Sequence, residues 1–301
     1  MTRDPRQREA ARRRLGVLGW PVSHSRSPAM HNAALAFLGM DDWSYQRLPV
    51  PPALFEETTR ALAQSGFRGA NVTIPHKEAA LAVADSASAS AEEIGAANTL
   101  TFGDDGSVAA ENTDAPGLLA ALGLSPRGMS AQILGAGGSA RAAAFALREA
   151  GAREVKVWNR TPERADALAR ELRVQPVPEP RAADLLINCT SVGLSRPGPG
   201  SEGASGLEPS ATDAAELNQL ALTFDLVGEY SYVIDLVYGS GPTALLVAAR
   251  RAGARALDGL EVLVAQGALS FEAWTGRSAP LEVMRRAARG GADRCEPRQA
   301  P

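Results

Sequence analysis

The stretch SAQILGAGGSARAAAFALREAGAREVKVW, residues 130–158, decides the fold class of the second half of the chain. It begins with an apolar run that predicts a buried strand, and it ends with EVKVW, which predicts another strand. Between them lie the loop GAGGSA and the helix-forming segment RAAAFALREAG. The order strand, glycine-rich loop, helix, strand predicts a βαβ unit whose two strands are parallel.

The loop GAGGSA matches the dinucleotide fingerprint G-x-G-x-x-A. Gly135 allows the tight turn, Gly137 lets the backbone approach a pyrophosphate, and Ala140 keeps the helix close to the sheet. The free N–H groups and the positive end of the helix dipole would then face the phosphates. The other positions of the predicted phosphate loop are Ala136, Gly138 and Ser139. The alternative is a glycine-rich turn that binds no ligand, which the βαβ context disfavours.

The residues after the second strand indicate which dinucleotide is bound. An NAD site normally has an Asp or Glu there for the ribose hydroxyls, but this chain has Asn159, Arg160, Thr161 and Arg164. Guanidinium groups bind a 2′-phosphate through charge-assisted hydrogen bonds, so these residues predict NADP. The alternatives are that both arginines are solvated charges at a helix start, or that one of them pairs with Glu163.

Composition excludes several classes of protein. The formal net charge of the 301 residues is -3, so no global field favours nucleic acid or a membrane surface. Cys189 and Cys295 are too few and too far apart for a disulfide framework, which favours a reducing, cytoplasmic compartment. The three histidines lack metal-ligand spacing, so no metal is expected.

Strands and helices alternate along the chain, which predicts two α/β domains with largely parallel sheets and a cleft between them. We expect a substrate-binding domain at 14–113 plus about 255–287, and a Rossmann-type NADP-binding domain at 114–254. Residues 1–13 and 288–301 are expected to be disordered tails. Residues 195–215, rich in Gly, Pro, Ser and Ala, predict a surface insertion.

Two polar segments stand out in the first domain. SHSRS, residues 23–27, precedes a helix, where hydroxyls and free N–H groups suit a carboxylate. Simple capping by Ser27, with Pro28 at the first helical position, is the alternative. In NVTIPHK, Asn71 and Thr73 alternate onto one side of a strand, and Pro75 ends that strand.

Lys77, the last residue of NVTIPHK, is one of only two lysines among the 31 basic residues of the chain. It is predicted in the first turn of a helix, where the dipole disfavours an ammonium. A lowered pKa would let this lysine exchange a proton near neutral pH, which arginine cannot do. An exposed lysine at a helix start is the alternative.

Further polar candidates are Asn98, Asn112, Thr113, Asp114 and Gln266. Asp114 either caps a helix or holds Lys77 as a carboxylate partner. Gln266 lies in a mostly apolar helix, so it is expected to be buried and to need a hydrogen-bond partner, for which a polyhydroxyl ligand is one candidate.

Taken together, these segments resemble the shikimate dehydrogenase family. The match rests on segments in the family's order from about residue 15 to about 275: GWPVSHSRSPAMHN, GANVTIPHKE, GAANTL, ENTDAPGLL, GAGGSAR, NRTPERA, NCTSVG, DLVYG-GPT and DGLEVLVAQ. The family reduces 3-dehydroshikimate to shikimate with NADPH, on the pathway to chorismate and the aromatic amino acids. The resemblance therefore implies an NADP-dependent oxidoreductase that is a monomer or a homodimer.

The resemblance also implies roles for individual residues. Lys77 and Asp114 would be the catalytic pair, and Ser25 and Ser27 would bind the substrate carboxylate, with Thr73 nearby. The ring hydroxyls would be held by Asn98, Asp114 and Gln266, and Tyr238 would reach the substrate from the cofactor domain. The implied cofactor contacts are the loop from Gly135 to Ala140, the clamp Asn159, Arg160, Thr161 and Arg164, and, beyond these, Thr190 and Gly259.

The chain departs from the family pattern at a few positions. Ala115 stands where a glycine is usual, Cys189 where alanine is usual, and Val262 where methionine often contacts the nicotinamide. The stretch from about 195 to 225 is longer than is common. Two other functions stay open: an NAD-preferring quinate/shikimate dehydrogenase of the same superfamily, and a non-catalytic NADP-binding regulator.

Overall fold

The computed structural model describes residues 13–194, 211–239 and 241–290. They form two compact units. One unit ends at Thr113 and resumes at Leu263, and the other is Asp114–Val262. Most of the two expected tails lies outside the described residues. The expected boundaries of the tails, residues 13 and 288, were wrong. Arg13 begins a strand, and Ala288 ends a helix and is buried.

A six-stranded mixed sheet is the centre of the first unit, with the strand order β2-β1-β3-β5-β6-β4. Its strands are β1 (Arg13–Gly19), β2 (Trp43–Pro49), β3 (Phe67–Val72), β4 (Ser86–Ala87), β5 (Thr99–Phe102) and β6 (Val108–Glu111). The predicted parallel arrangement is found for β1, β2 and β3. The strands β5 and β6 form a hairpin around the sequence DDG, and β5 is antiparallel to β3, so this sheet is mixed.

The helices of the first unit cover this sheet. They are α1 (Ser27–Phe37), α2 (Phe55–Gln64), α3 (Lys77–Val83), α4 (Ala89–Ile94) and the last helix of the described chain, α12 (Leu281–Ala288). Gly69 on β3 marks the tightest packing against the sheet. A Cβ there would lie 2.1 Å from Trp274 Nε1 and 2.6 Å from the Leu100 carbonyl oxygen, so only glycine leaves room for the indole to donate to that carbonyl.

A second, wholly parallel sheet has the order β12-β11-β10-β7-β8-β9. Its strands are β7 (Ser130–Leu134), β8 (Glu154–Trp158), β9 (Gln175–Pro176), β10 (Leu185–Asn188), β11 (Tyr232–Asp235) and β12 (Arg255–Asp258). Counted within the unit, this order is that of the Rossmann fold, with β7 and β10 flanking the switch point where ligands bind. The predicted fold class, two α/β domains of which one is Rossmann-type, is confirmed.

The helices of the second unit pack on this sheet through a largely aliphatic core. They are α5 (Asp114–Leu122), α6 (Gly138–Glu149), α7 (Pro162–Leu172), α8 (Ala211–Gln219), α9 (Phe224–Gly228), α10 (Ala244–Arg251) and the start of α11 (Gly259–Thr275). Among the described residues, no helix has both the length and the apolar character that a membrane span requires.

The structure corrects two expected boundaries. Residues 255–258 were assigned to the first domain, but they form β12 and pair in parallel with β11, so the chain returns to the first unit only at Leu263, within α11. The predicted surface insertion at 195–215 ends in the first residues of α8, and the residues after it belong to the core, because Leu217, Leu220 and Leu222 are buried there. Residues 195–210 lie outside the described part.

Candidate active site

The predicted phosphate loop connects β7 to α6 in the second unit. Gly135 has a φ of 106°, and a Cβ there would lie 3.2 Å from the carbonyl carbon of Cys189, so the tight turn requires glycine. A Cβ at Gly137 would meet no protein atom within 4 Å, so the backbone faces open space. Ala140 is fully buried. The N–H groups at the start of α6 and the accessible backbone at Gly137 fit a pyrophosphate.

The residues after β8 form a cationic edge beside this loop. The Asn159 side chain donates to the Thr161 carbonyl oxygen at 2.8 Å, which shapes the turn into α7. Arg160 and Arg164 are exposed. Within the described ranges neither arginine forms an ion pair, and the alternative pairing with Glu163 is not found. Both guanidinium groups thus lie at the surface of the second unit, and their contact with a phosphate stays a prediction.

The remaining cofactor candidates, Thr190 and Gly259, and the substrate candidate Tyr238 follow the other strands of the same sheet. Thr190 lies just beyond β10, Tyr238 just beyond β11, and Gly259 just beyond β12. Thr190 and Tyr238 are half-buried, and Gly259 is buried. A Cβ at position 259 would lie 2.3 Å from the Leu236 carbonyl oxygen, so this close packing requires glycine. In a parallel sheet these positions share the carboxyl edge, where α/β folds bind ligands.

The two serines of the first unit lie in a buried turn between β1 and α1. Ser25 and Ser27 are each 3% exposed, and Ser25 Oγ accepts from the Ser27 backbone N–H at 3.3 Å. The expectation that Ser27 is the helix cap was wrong, because α1 begins at Ser27 and Arg26 holds the cap position. Sequence reasoning also missed Arg47 on β2, whose Nε and Nη2 donate to the Ser25 carbonyl oxygen at 3.2 and 2.8 Å.

Lys77 is the first residue of α3, as predicted, and is half-buried. Its carbonyl oxygen accepts from the Ala97 backbone N–H at 2.8 Å, and the Asn98 carbonyl oxygen accepts from the Val72 N–H at 2.8 Å. These two bonds hold the start of α3 beside the turn that carries Asn98. Thr73, between β3 and α3, is half-buried, and its backbone N–H donates to the Leu18 carbonyl oxygen at 2.9 Å.

A buried amide and hydroxyl network lies behind this edge of the sheet. Asn98 Nδ2 donates to Thr113 Oγ1 at 3.0 Å and to Gln266 Oε1 at 3.1 Å, and Asn98 Oδ1 accepts from the Thr113 backbone N–H at 2.7 Å. Gln266 Nε2 donates to the Leu263 carbonyl oxygen at 2.7 Å. Gln266 is therefore buried, as expected, and its partners within the protein hold it and Asn98 in fixed orientations.

Asn71 belongs to the same network. The strand pattern had predicted it on the ligand side together with Thr73. Asn71 is 5% exposed; its Oδ1 accepts from the Tyr45 hydroxyl at 2.8 Å, and its Nδ2 donates to Ser270 Oγ at 2.8 Å. Ser270 Oγ is also 3.0 Å from Thr99 Oγ1. Tyr45, Thr99 and Ser270 were missed by sequence reasoning, since nothing in the sequence pairs residues so far apart along the chain.

Asp114 follows directly on the fixed Thr113 and is the first residue of α5. It is half-buried and belongs to the second unit, whereas Lys77 belongs to the first. Their pairing therefore stays a prediction. In the part of the chain that the structure describes, no group of three or more His, Cys, Asp and Glu side chains is placed to hold a metal ion.

His31 on α1 is a buried titratable group that is not among the predicted site residues. Its ring stacks on Tyr45 with centroids 4.3 Å apart, and neither ring nitrogen has a hydrogen-bond partner among the described residues. Burial lowers the pKa of His31 to about 3. The folded state therefore binds fewer protons than the unfolded state between about pH 6.5 and 3.

We expect the free energy of unfolding to fall as the pH drops through this window, by on the order of 4 kcal/mol from His31 alone. His31→Phe keeps a stacked ring but cannot titrate, so its urea-unfolding free energy should depend less on pH between 7 and 4 than that of the wild type. His24→Gln, at an exposed neighbouring histidine, is the matched control. Parallel pH dependences of His31→Phe and the wild type would contradict the assignment.

Three family models match successive parts of the chain. The shikimate dehydrogenase substrate binding domain matches residues 17–100, the shikimate/quinate 5-dehydrogenase model residues 121–191, and the shikimate 5'-dehydrogenase C-terminal domain residues 259–289. The matched ranges include the serine turn, Lys77, the phosphate loop and Gln266. The resemblance predicted from the sequence motifs is thereby confirmed.

Similar proteins cover nearly the whole chain. Shikimate dehydrogenase (NADP(+)) from Methanopyrus kandleri is 42% identical over 91% of this chain and 93% of its own length. The enzyme of that name from Thermus thermophilus is 45% identical over 92% and 97%. A crystal structure of shikimate 5-dehydrogenase from Thermus thermophilus in complex with NADP(H) and shikimate has a TM-score of 0.78 and 42% identity, and covers 93% of this chain and 100% of that one.

Not every structural relative is named a shikimate dehydrogenase. The 5-ketofructose reductase of Gluconobacter sp. strain CHM43 is 29% identical, with a TM-score of 0.73, and covers 93% of this chain and 98% of that one. The fold alone therefore does not define the substrate, whereas identities above 40% over nine-tenths of the chain to shikimate dehydrogenases define the family. This chain belongs to the shikimate dehydrogenase family.

Proposed function

We propose that this protein is an NADP-dependent shikimate dehydrogenase, which reversibly reduces 3-dehydroshikimate to shikimate in chorismate biosynthesis. The observation that carries the proposal is the joint presence of three features. They are Lys77 at a helix start, the buried serine turn, and the phosphate loop together with the exposed Arg160 and Arg164 after β8. The high identity to named NADP-dependent shikimate dehydrogenases supports it. The carboxyl edges of the two sheets supply these groups, as expected for α/β enzymes.

The cofactor would be held by the second unit. The loop from Gly135 to Ala140 would bind the pyrophosphate, and Asn159, Arg160, Thr161 and Arg164 the 2′-phosphate. Thr190 and Gly259 lie at the same sheet edge and would border the nicotinamide side. When bound, NADPH supplies the hydride for the reduction.

The first unit would hold and orient the substrate. Ser25 and Ser27 would donate hydrogen bonds to the carboxylate, with Thr73 nearby. Asn98 and Gln266, oriented by the buried network, would bind ring hydroxyls together with Asp114, and Tyr238 would contact the substrate from the second unit. Arg47, bonded to the Ser25 carbonyl oxygen, would fix the serine turn and add positive charge near the carboxylate.

Lys77 would act as the general acid. As the C3 carbonyl carbon of 3-dehydroshikimate accepts the hydride, its oxygen gains negative charge, and the Lys77 ammonium donates the proton that yields the hydroxyl. Asp114 would orient the ammonium and stabilise its charge. In the reverse direction the neutral amine accepts the same proton, so one residue serves both directions.

Two other functions make different predictions. An NAD-preferring quinate/shikimate dehydrogenase would accept quinate, which carries a further hydroxyl next to the carboxylate, and would not need Arg160 and Arg164. A non-catalytic regulator would need the phosphate loop but not Lys77, Asp114, Asn98 and Gln266. The presence of all four favours an enzyme, and the two arginines favour NADP.

The direct test is nicotinamide absorbance with purified protein. We expect NADP-linked oxidation of shikimate to exceed NAD-linked oxidation of quinate by at least tenfold in kcat/KM. A preference for quinate with NAD would establish the first alternative. Binding of NADPH without turnover of either acid would establish the second.

We further propose that the protein is cytoplasmic, which is consistent with its sparse cysteine content, and that it is a monomer or a homodimer. Size-exclusion chromatography with light scattering tests the oligomeric state.

A further inference from the structure

One buried carboxylate joins two loops at the carboxyl edge of the second sheet. Asp235 is the last residue of β11, and Asn188 is the last residue of β10. The two are neighbours in register, and both are fully buried. The loop after β10 carries Thr190, and the loop after β11 carries Tyr238.

The hydrogen bonds of this pair reach into both loops. Asn188 Oδ1 accepts from the Thr190 backbone N–H at 3.0 Å and from Thr190 Oγ1 at 2.8 Å, and Asn188 Nδ2 donates to Asp235 Oδ1 at 2.9 Å. Asp235 Oδ1 also accepts from the Val237 backbone N–H at 3.1 Å, and Asp235 Oδ2 accepts from Thr243 Oγ1 at 2.6 Å. Asp235 thus fastens the loop that carries Tyr238 on both sides of that residue.

We propose that Asp235 is a positioning residue that holds the loop of Thr190 and the loop of Tyr238 together as one preformed surface, on which Thr190 contacts the cofactor. It acts through Asn188 on one loop and through Val237 and Thr243 on the other. A surface that is already ordered loses less conformational entropy when a ligand binds, which raises affinity. That the ligand is NADP(H) rests on the proposed function, whereas the ordering of the loops does not.

The protonation of Asp235 is coupled to folding. Burial raises the pKa of Asp235 to about 6; the three donors oppose this effect, and the Glu216 carboxylate adds to it. The other acidic residue placed beside it by the sheet is Asp258, its partner in register on β12. Since the folded state keeps this proton longer than the unfolded state, the free energy of unfolding falls as the pH rises from about 4 to 6.

Three variants separate positioning from general stability. Asp235→Ala removes the acceptors for both loops. Asp235→Asn keeps an oxygen for Asn188 and Val237 and can donate to the Thr243 hydroxyl oxygen. Asp184→Ala is the matched control: this carboxylate accepts from the Ser130 backbone N–H and hydroxyl at 2.7 and 2.8 Å, but at the amino end of the same sheet.

Two readouts are needed. NADPH fluorescence at pH 7.5 gives the Kd, and amide hydrogen exchange of the ligand-free protein reports the order of residues 189–194 and 236–243. We expect Asp235→Ala to raise the Kd at least tenfold and to speed exchange in both loops, Asp235→Asn to stay within about threefold of wild type, and Asp184→Ala to leave the Kd unchanged.

The outcomes are distinguishable. Wild-type Kd and exchange in Asp235→Ala would overturn the inference, as would an equal loss of affinity in Asp184→Ala. If the wild type binds no NADPH, the proposed function fails, and the exchange measurement still decides whether Asp235 orders both loops.

Discussion

Lys77→Met is expected to lower kcat for shikimate oxidation at least 10²-fold, within the range of about 10²–10⁴ typical of general acid–base catalysis. Methionine has a similar length and apolar stem but no proton to exchange. Since the substrate carboxylate and ring hydroxyls are assigned to other residues, the KM for shikimate should change less than threefold. The measurement is steady-state kinetics with saturating NADP.

The other lysine of the chain provides the control. Lys156 lies on β8, and its Nζ pairs with Glu154 Oε2 at 2.8 Å. Lys156→Met removes the same charge and should keep kcat within about twofold. A Lys77→Met enzyme with undiminished kcat would refute the acid–base role, whereas a raised KM with unchanged kcat would show that Lys77 only binds the substrate hydroxyl.

Arg160→Ala is expected to raise the KM for NADPH by roughly tenfold or more while leaving that for NADH nearly unchanged. A hydrogen bond to a charged group contributes about 1.5–3 kcal/mol, and an exposed site lies at the lower end of that range because solvent screens it. NADH lacks the 2′-phosphate, so it has no group for this guanidinium. The measurement is the ratio of kcat/KM for the two cofactors.

The matched control is Arg153→Ala, an exposed arginine at the amino end of β8 in the same unit, 4.0 Å from Asp184. It should leave both cofactors unaffected. Equal losses for NADPH and NADH in Arg160→Ala would mean that Arg160 does not bind the 2′-phosphate, and Arg164 would then be tested in the same way.

Local features were predictable because they depend on residues close together in the sequence. The phosphate loop was evident because its glycines have backbone requirements that the structure confirms: a positive φ at Gly135 and open space at Gly137. Lys77 was placed at a helix start because the strand before it, the proline and the apolar residues after it lie within one short segment.

Features that join distant segments were not predictable. The strand β12 was assigned to the wrong domain because its four residues contain no sequence pattern that indicates pairing with β11. The helix α8 was missed because its low apolar content and its Gly- and Pro-rich flank concealed one buried leucine, Leu217, with Leu220 and Leu222 buried just after the helix. Arg47 gave no signal in the sequence for its contact with the serine turn.

The sequence by itself determined the fold class, the family, the phosphate loop and the identity of the candidate acid, because each depends on local backbone geometry or on a motif of adjacent residues. Only the tertiary structure decided which polar groups lie behind that site. Asn71 meets Ser270, and Asn188 meets Asp235, across long separations in sequence. Buried polar groups need partners wherever the fold supplies them, and which partner each finds follows from strand order and helix packing rather than from neighbours along the chain.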